Sequence, residues 1–296
     1  MKPFIKWVGG KTQIIEDVLG SFPTKMKDYH EVFVGGGSVL LSVLSRELVT
    51  GKVCAYDLNG SLIALYQNIQ SQPQAVYGHL KSLYEQYEKC EGSEVNRKAE
   101  TLEEAVKSKE NYYYWIRKRF NTEKEETPER SATFIFLNKM CFRGVYREGP
   151  NGFNVPYGHP KTTPVMISGE ELTRVSKLIK KVQFRQCDFR EAFKNMNKGD
   201  FVYLDPPYAP ETKTSFVGYT KDGFGVKDHE ELFDLTKNSG VDFVMSNANV
   251  NMVTNSFVDY TIKELKARRA INCKNPESTT TEVLVQSSTC VSIRTT

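Results

Sequence analysis

No stretch of the 296 residues is long and apolar enough to span a membrane. The opening MKPFIKW lacks the apolar core of a secretory leader, so export and membrane anchoring are not expected. A cytoplasmic setting, or a viral or host nucleoid-associated one, fits these absences. Cysteine is scarce and scattered: Cys54, Cys90, Cys141, Cys187, Cys273 and Cys290 form no CxxC pair, and the 4 histidines lie far apart. That spacing argues against a disulfide framework and against zinc, so reduced thiols and no metal are expected. Strong charge of one sign is also missing. A net charge of +4 is compatible with a nucleic-acid partner without demanding one. Internal repeats and low-complexity segments are absent too.

What is present begins at FIKWVGGKTQII, whose Gly-Lys-Thr matches the end of a phosphate-binding P-loop. A P-loop needs a further glycine five places before Gly10, after a buried strand. That place is Ile5, and Lys6 with Trp7 interrupts the apolar run. A triphosphatase is therefore a poor fit, and the segment alone reads as a Gly-Gly turn before an amphipathic helix.

Further on, Tyr29 to Val34 reads as a strand running into Gly35-Gly36-Gly37, followed by a helix over Ser38 to Leu48 and a strand over Lys52 to Tyr56 that ends in Asp57. Strand, glycine turn, helix, strand and acid make half of a doubly wound α/β fold, with a cofactor across the carboxyl ends of the strands. From Leu62 to about Asn138 the chain turns to long, charged, tyrosine-rich helical segments. Gly144 to Pro164 is dense in Gly, Pro and Asn and reads as a hairpin or ordered loop. Strands resume at Val182 to Arg185, Phe201 to Leu204 and Phe243 to Met245, with helices at Glu191 to Met196 and Asp228 to Ser239 between them. EVLVQSS near the end reads as part of a pair of edge strands. The expected organisation is a catalytic part at 1–60 and 169–296, interrupted by an inserted target-recognition domain at 61–168.

The most specific tetrapeptide is Asp205-Pro206-Pro207-Tyr208, directly after the strand FVYL. Two prolines hold the chain in a fixed extended turn, so the Asp205 carboxylate and the Pro206 carbonyl can face one point. Two acceptors suit an exocyclic NH₂ on a nucleobase. Holding both N–H bonds draws the nitrogen lone pair out of conjugation and aims it at an electrophile, while Tyr208 can stack on the base. The plainer alternative is a rigid strand-ending turn with a half-buried tyrosine. The Gly35–Gly37 turn with Asp57 would equally suit NAD, but hydride transfer has no use for an amine clamp.

Together FIKWVGGK, EVFVGGGSVLLS, DLN, FIFLNKMCFRGVYREG with GFNVPYG, CDF, DPPY and EVL, in this order, resemble the Dam-type, D12 class adenine-N6 DNA methyltransferases of the α order over nearly the whole chain. The resemblance implies a Rossmann-like S-adenosylmethionine-dependent sheet carrying a helical and β-hairpin recognition domain, acting on double-stranded DNA by direct methyl transfer to a flipped adenine. It implies Asp205, Pro206 and Tyr208 as catalytic. Trp7, Lys11, Phe33, Gly35, Gly37, Asp57, Asp188, Phe189 and Asp205 would bind the cofactor. Trp7 and Lys11 would lie at its methionine end, Asp57 at the ribose, and Asp188 with Phe189 at the adenine. Asp188 also reads as a helix N-cap ahead of FREAF.

On the DNA side the resemblance implies Lys6, Phe142, Arg143, Val145, Arg147 and Pro156. Between Asn138 and Lys161 four basic residues (Lys139, Arg143, Arg147, Lys161) face one acid, Glu148, interleaved with Phe142, Tyr146, Phe153 and Tyr157. Tyr146 and Phe153 read equally as a small core. The chain departs from the family pattern at Val32, where proline is usual, and at Arg143 and Gly149, where a short polar residue and an asparagine are common. A GATC-like palindrome is the expected target, with CATG-like sites next. A cognate restriction endonuclease and a solitary enzyme both fit, as do a monomer and a weak dimer. Cytosine-N4 or non-DNA amine methylation, and a DNA-binding protein with a degenerate cofactor site, are the competing readings.

Overall fold

The computed structural model describes residues 1–210, 223–268 and 279–287, so Cys273 and Cys290 lie outside the described residues. In chain order the elements are α1 (Ile15–Leu19), β1 (Tyr29–Val32), α2 (Ser38–Ser45), β2 (Val53–Asp57), α3 (Gly60–Ser71), α4 (Pro73–Glu88), α5 (Leu102–Ala105), α6 (Lys109–Thr122) and α7 (Pro128–Met140). There follow β3 (Glu148–Gly149), β4 (Gly152–Phe153), α8 (Gly169–Leu178), β5 (Val182–Gln186), α9 (Phe189–Phe193), β6 (Phe201–Leu204), α10 (Val226–Asn238), β7 (Asp242–Ala248), α11 (Asn251–Ser256), β8 (Thr261–Arg268) and β9 (Thr279–Gln286). None of the described helices is long and apolar enough to cross a membrane.

Two compact units result. One comprises Met1–Lys2, Gly10–Leu58 and Lys181–Thr296; the other, Pro3–Gly9 and Asn59–Lys180. The second unit thus takes in residues at both ends, Pro3–Gly9 and α8, that the sequence reading assigned to the catalytic part.

The first unit is built on a seven-stranded sheet in the order β5-β2-β1-β6-β7-β9-β8. β5, β2, β1, β6 and β7 run parallel, while β9 is antiparallel to both β7 and β8. β1 and β6 are buried at every position, as expected of central parallel strands covered on both faces. Chain direction across the sheet reverses at β1 and β6, the topological switch point where α/β sheets hold ligands beyond the strand carboxyl ends.

Several boundaries differ from the sequence reading: the helix read at Glu191 to Met196 is α9 at Phe189–Phe193, and three further differences have a visible cause. β1 stops at Val32 because Phe33 turns left-handed, with φ 69°. Helix α2 stops at Ser45, shortly before Glu47, which has φ 52°. β9 is an interior strand with Val283, Leu284 and Val285 fully buried, so of the tail pair β8 alone lies at the edge.

In the second unit several of the helices start at a residue whose side chain accepts from an orphan amide. Asn59, Ser108, Thr127 and Ser168 cap α3, α6, α7 and α8; Pro128 opens α7, and Ser168 with Glu171 forms a capping box. The tyrosine-rich stretches become core: Tyr87, Tyr112 and Tyr113 are fully buried, and the Tyr113 hydroxyl donates to the Val155 carbonyl at 2.8 Å.

Candidate active site

At the carboxyl edge of the first unit's sheet, β1 leaves into Phe33-Val34-Gly35-Gly36-Gly37. Phe33 adopts a left-handed conformation that costs a non-glycine residue roughly 1–3 kcal/mol, a strain typical of ligand sites. Gly37, at φ 69°, is the N-cap of α2. The amide of Gly35 donates to Asp57 Oδ2 at 3.0 Å, so the acid ending β2 is held against the turn that follows β1. The Phe33 ring meets Phe189 at 6.1 Å and Phe224 at 5.8 Å, forming an aromatic wall. Asp188 does cap α9, accepting from the Arg190 amide at 2.9 Å, and the Arg190 guanidinium also bonds both its oxygens. Arg190 is shared with Asp228 and Glu231, and these carboxylates hold its proton more tightly than usual.

Gly-Lys-Thr forms no phosphate loop: Lys11–Gln13 is a single 3-10 turn with no strand before it. The Lys11 amide donates to Ser38 Oγ at 3.1 Å, and its ammonium reaches Asp205 Oδ2 at 2.7 Å. Lys11 is 3% exposed and the Asp205 side chain 19%. Burial pushes the Asp205 carboxyl up to about 6 and Glu282 adds to the rise, while Lys11 opposes it. An enclosed carboxylate with one cation on one oxygen is poised to accept from a further N–H donor at neutral pH.

The rest of the Asp205–Tyr208 loop is pinned. Lys11 Nζ lies 5.1 Å from the Tyr208 ring centre. The Tyr208 hydroxyl donates to Glu282 Oε2 at 2.6 Å, and the Ala209 amide donates to Asn247 Oδ1 at 2.9 Å. Asn247 is fully buried at the end of β7, and its Nδ2 has no partner among the described residues.

The first unit therefore brings together Lys11, Phe33, Gly35, Gly37, Asp57, Asp188, Phe189, Asp205, Pro206 and Tyr208 at the carboxyl ends of β1, β2, β5 and β6. Trp7 lies in the second unit, stacked on Tyr146 at 5.3 Å and Phe134 at 6.3 Å.

The second unit gathers the residues expected on the DNA side. The Phe142 amide donates to the Pro156 carbonyl at 2.9 Å, and Asn138 Nδ2 donates to the carbonyls of Lys6 and Gly144, at 2.8 and 3.2 Å. Gly144 is left-handed, and a Cβ there would lie 2.6 Å from Lys6 Cδ, so glycine lets the N-terminal segment pack on the FRGVYR turn. Lys6, Phe142, Arg143, Arg147 and Pro156 are exposed and Val145 partly so; Phe142 presents 47% of its surface. Arg143 has φ 59° and carries its guanidinium 5.2 Å from the Phe142 ring centre. Arg147 Nε donates to Asn154 Oδ1 at 2.7 Å across the β3–β4 hairpin. A Cβ on Gly149 would approach Asn154 Nδ2 to 2.4 Å, which gives the departure at Gly149 a physical reason. Tyr146 and Phe153 are packed against each other at 5.4 Å, and Phe153 is buried, so these two belong to the small core.

Several residues carry contacts at these places without having been singled out from the sequence, Glu282, Asn247 and Asn154 among them. Glu282 lay inside the quoted EVL, Asn247 near the polar end of a largely apolar strand, and Asn154 inside GFNVPYG; only for Asn247 was there a local signal, a polar residue closing an apolar run.

Residues 7–271 match the profile of the family described as D12 class N6 adenine-specific DNA methyltransferase. The chain is similar to the Type II methyltransferase M.MjaIII of Methanocaldococcus jannaschii, at 36% identity over 93% of this chain and 94% of that one. It is also similar to the Type II methyltransferase M1.LlaDCHI of Lactococcus lactis, at 30% identity over 96% of this chain and 95% of that one. The DNA adenine methylase of Haemophilus influenzae is 30% identical over 93% of this chain and 89% of its own. With a match across most of its length, the chain belongs to the D12 class N6 adenine-specific DNA methyltransferases.

Proposed function

We propose that this chain is a site-specific enzyme that uses S-adenosylmethionine to methylate the N6 amino group of an adenine flipped out of a short, GATC-like duplex site. The observation that carries the reading is Asp205, held by buried Lys11 at the carboxyl end of β6, on the sheet's switch point. The fit of the methyl donor rests on the donor set at this edge: a ribose-sized acid at Asp57, a glycine turn open to close approach, the aromatic wall of Phe33 and Phe189, and the cation of Lys11 for a carboxylate. Bound there, S-adenosylmethionine supplies an electrophilic sulfonium methyl group.

The chain's own part is positioning and polarisation. Asp205 and the Pro206 carbonyl accept the two N–H bonds of the adenine amine, and Tyr208 stacks on the base. The amine nitrogen gains basicity as its lone pair leaves the ring, and the carboxylate stabilises the positive charge that grows on it. The proton released after transfer leaves through this acceptor pair to solvent. Because N6 is inaccessible inside a duplex, the base must leave the stack.

Sequence would be read by the second unit, the recognition domain in this proposal. Arg147 offers a planar fork to guanine O6 and N7, Lys6, Val145 and Pro156 contact neighbouring base edges, and Phe142 with Arg143 fills the space left by the flipped base. Trp7 is assigned to packing beneath this surface rather than to the cofactor. Sequencing methylated adenines in DNA from cells expressing the gene tests the whole reading. Methylation confined to one short palindrome supports it; methylation without a common site would overturn the role given to the hairpin.

A further inference from the structure

We propose that Glu282 is a positioning residue for methyl transfer, holding the Tyr208 hydroxyl so that the tyrosine ring stays fixed beside Asp205. The proposal rests on the assignment of Asp205 and Tyr208 to the target base made above.

Glu282 is carried by an interior strand of the sheet. It stands opposite Ala248 of β7 on one side of β9 and Leu265 of β8 on the other, followed by the fully buried Val283, Leu284 and Val285. Its bond from Tyr208 is 2.6 Å, the short range of a hydroxyl donating to a carboxylate, which is about twice as strong as a neutral bond. A bond at the far end of a stacking ring restrains the swing of the whole side chain about its first torsion and so keeps the ring in place beside Asp205. The loop is then held at three successive points: Asp205 by Lys11, Tyr208 by Glu282 and Ala209 by Asn247.

A purely structural role is a poor account of this carboxylate. It stands close enough to Asp205 to raise that carboxyl's proton affinity, alongside burial and against Lys11. Tyr203 and Tyr208 stay protonated under the combined effect of burial and the nearby carboxylates of Asp205 and Glu282. An apolar partner for a phenylalanine at this place would hold the loop without that cost. What a carboxylate adds is the orientation of the tyrosine.

The test is a double-mutant cycle on single-turnover methyl transfer, using Glu282→Ala, Tyr208→Phe and the double variant, with Glu282→Gln as the near-isosteric control. Glu282→Ala and Tyr208→Phe should each slow transfer by about tenfold or more, the worth of one hydrogen bond to a charged group. The double variant should be no slower than about twice the slower single, because both changes remove the same bond. Glu282→Gln should recover part of the rate, and its acid limb should move to lower pH, since it keeps an acceptor and removes a charge facing Asp205. Fluorescence of 2-aminopurine at the target position should brighten in Glu282→Ala as stacking loosens. Rate losses that multiply in the double variant, or an unaltered rate in Glu282→Ala, would overturn the proposal. Should the wild-type product be N4-methylcytosine, the choice of adenine fails, yet the same cycle on that product still decides the role of Glu282.

Discussion

The corner around Asp205 and the turn around Phe142 place their functional groups in opposite ways. At the first, Lys11 is 3% exposed and the groups bond one another: Lys11 to Asp205, Tyr208 to Glu282, Asp57 to the Gly35 amide. At the second, Phe142, Arg143 and Arg147 stand in solvent, and the Arg147 guanidinium bonds Asn154 across the hairpin. Bond-making chemistry needs acceptors fixed before the reacting atom arrives, in surroundings of low dielectric, whereas reading a groove needs long side chains that can reach. A single substitution should therefore be nearly all-or-none at the corner and graded at the turn.

The sharpest way to break that contrast is Asp205→Ala. Removing a preorganised acceptor should cost roughly 10²–10³ or more in the transfer rate while circular dichroism shows an unaltered fold. Near-normal turnover would show that Asp205 does not polarise the amine. Next in size is Lys11→Met, which leaves Asp205 buried without its cation. The Asp205 carboxyl already titrates near 6, and losing Lys11 raises it further. Wild-type activity should thus fall as pH drops through about 6, where the carboxylate takes a proton and ceases to accept. In Lys11→Met the same fall should begin at higher pH, with the rate recovering as pH rises; pH–rate profiles of the two proteins decide this.

Asp57→Ala should weaken S-adenosylmethionine binding by about 1.5–3 kcal/mol, the worth of a charge-assisted contact, with no change in the labelled site. Calorimetry that finds unchanged affinity would reassign Asp57 to a structural role, holding the Gly35 turn. At the turn, Arg147→Lys keeps the charge and loses the planar fork, so discrimination at one base pair should relax by about 1–3 kcal/mol on singly substituted oligonucleotides. A uniform loss over all sequences would assign Arg147 to the phosphates instead. Asn154→Ala should blur the same base pair by a smaller step, on the order of 1 kcal/mol, since it only orients Arg147.

What was legible beforehand had local causes. The strand Tyr29–Val32 with its glycine turn, Asp57 after Val53–Tyr56, and the Pro206-Pro207 stop after Phe201–Leu204 each carry their geometry in a few adjacent residues. The left-handed Phe33 was not legible, because a β-exit that forces a bulky residue past φ 0° has no composition signal. Neither was the interior place of β9, for a short apolar run such as VLV does not say which strands flank it, and only its neighbours β7 and β8 decide where it sits. Pairings such as Lys11 with Asp205, 194 residues apart, and Tyr208 with Glu282, 74 apart, depend on the order of strands rather than on any motif. The same holds for Lys6, which meets Gly144 only because Asn138 binds both their carbonyls.

The most direct test of the account is the identity of the labelled nucleoside. The purified chain would be incubated with duplex DNA and S-adenosylmethionine carrying an isotopic methyl group, the DNA digested, and its nucleosides separated, with Asp205→Ala run in parallel. The account predicts that all the label is in N6-methyladenine for the wild type and none above background for the variant. Label in N4-methylcytosine, or equal label in both proteins, would contradict it.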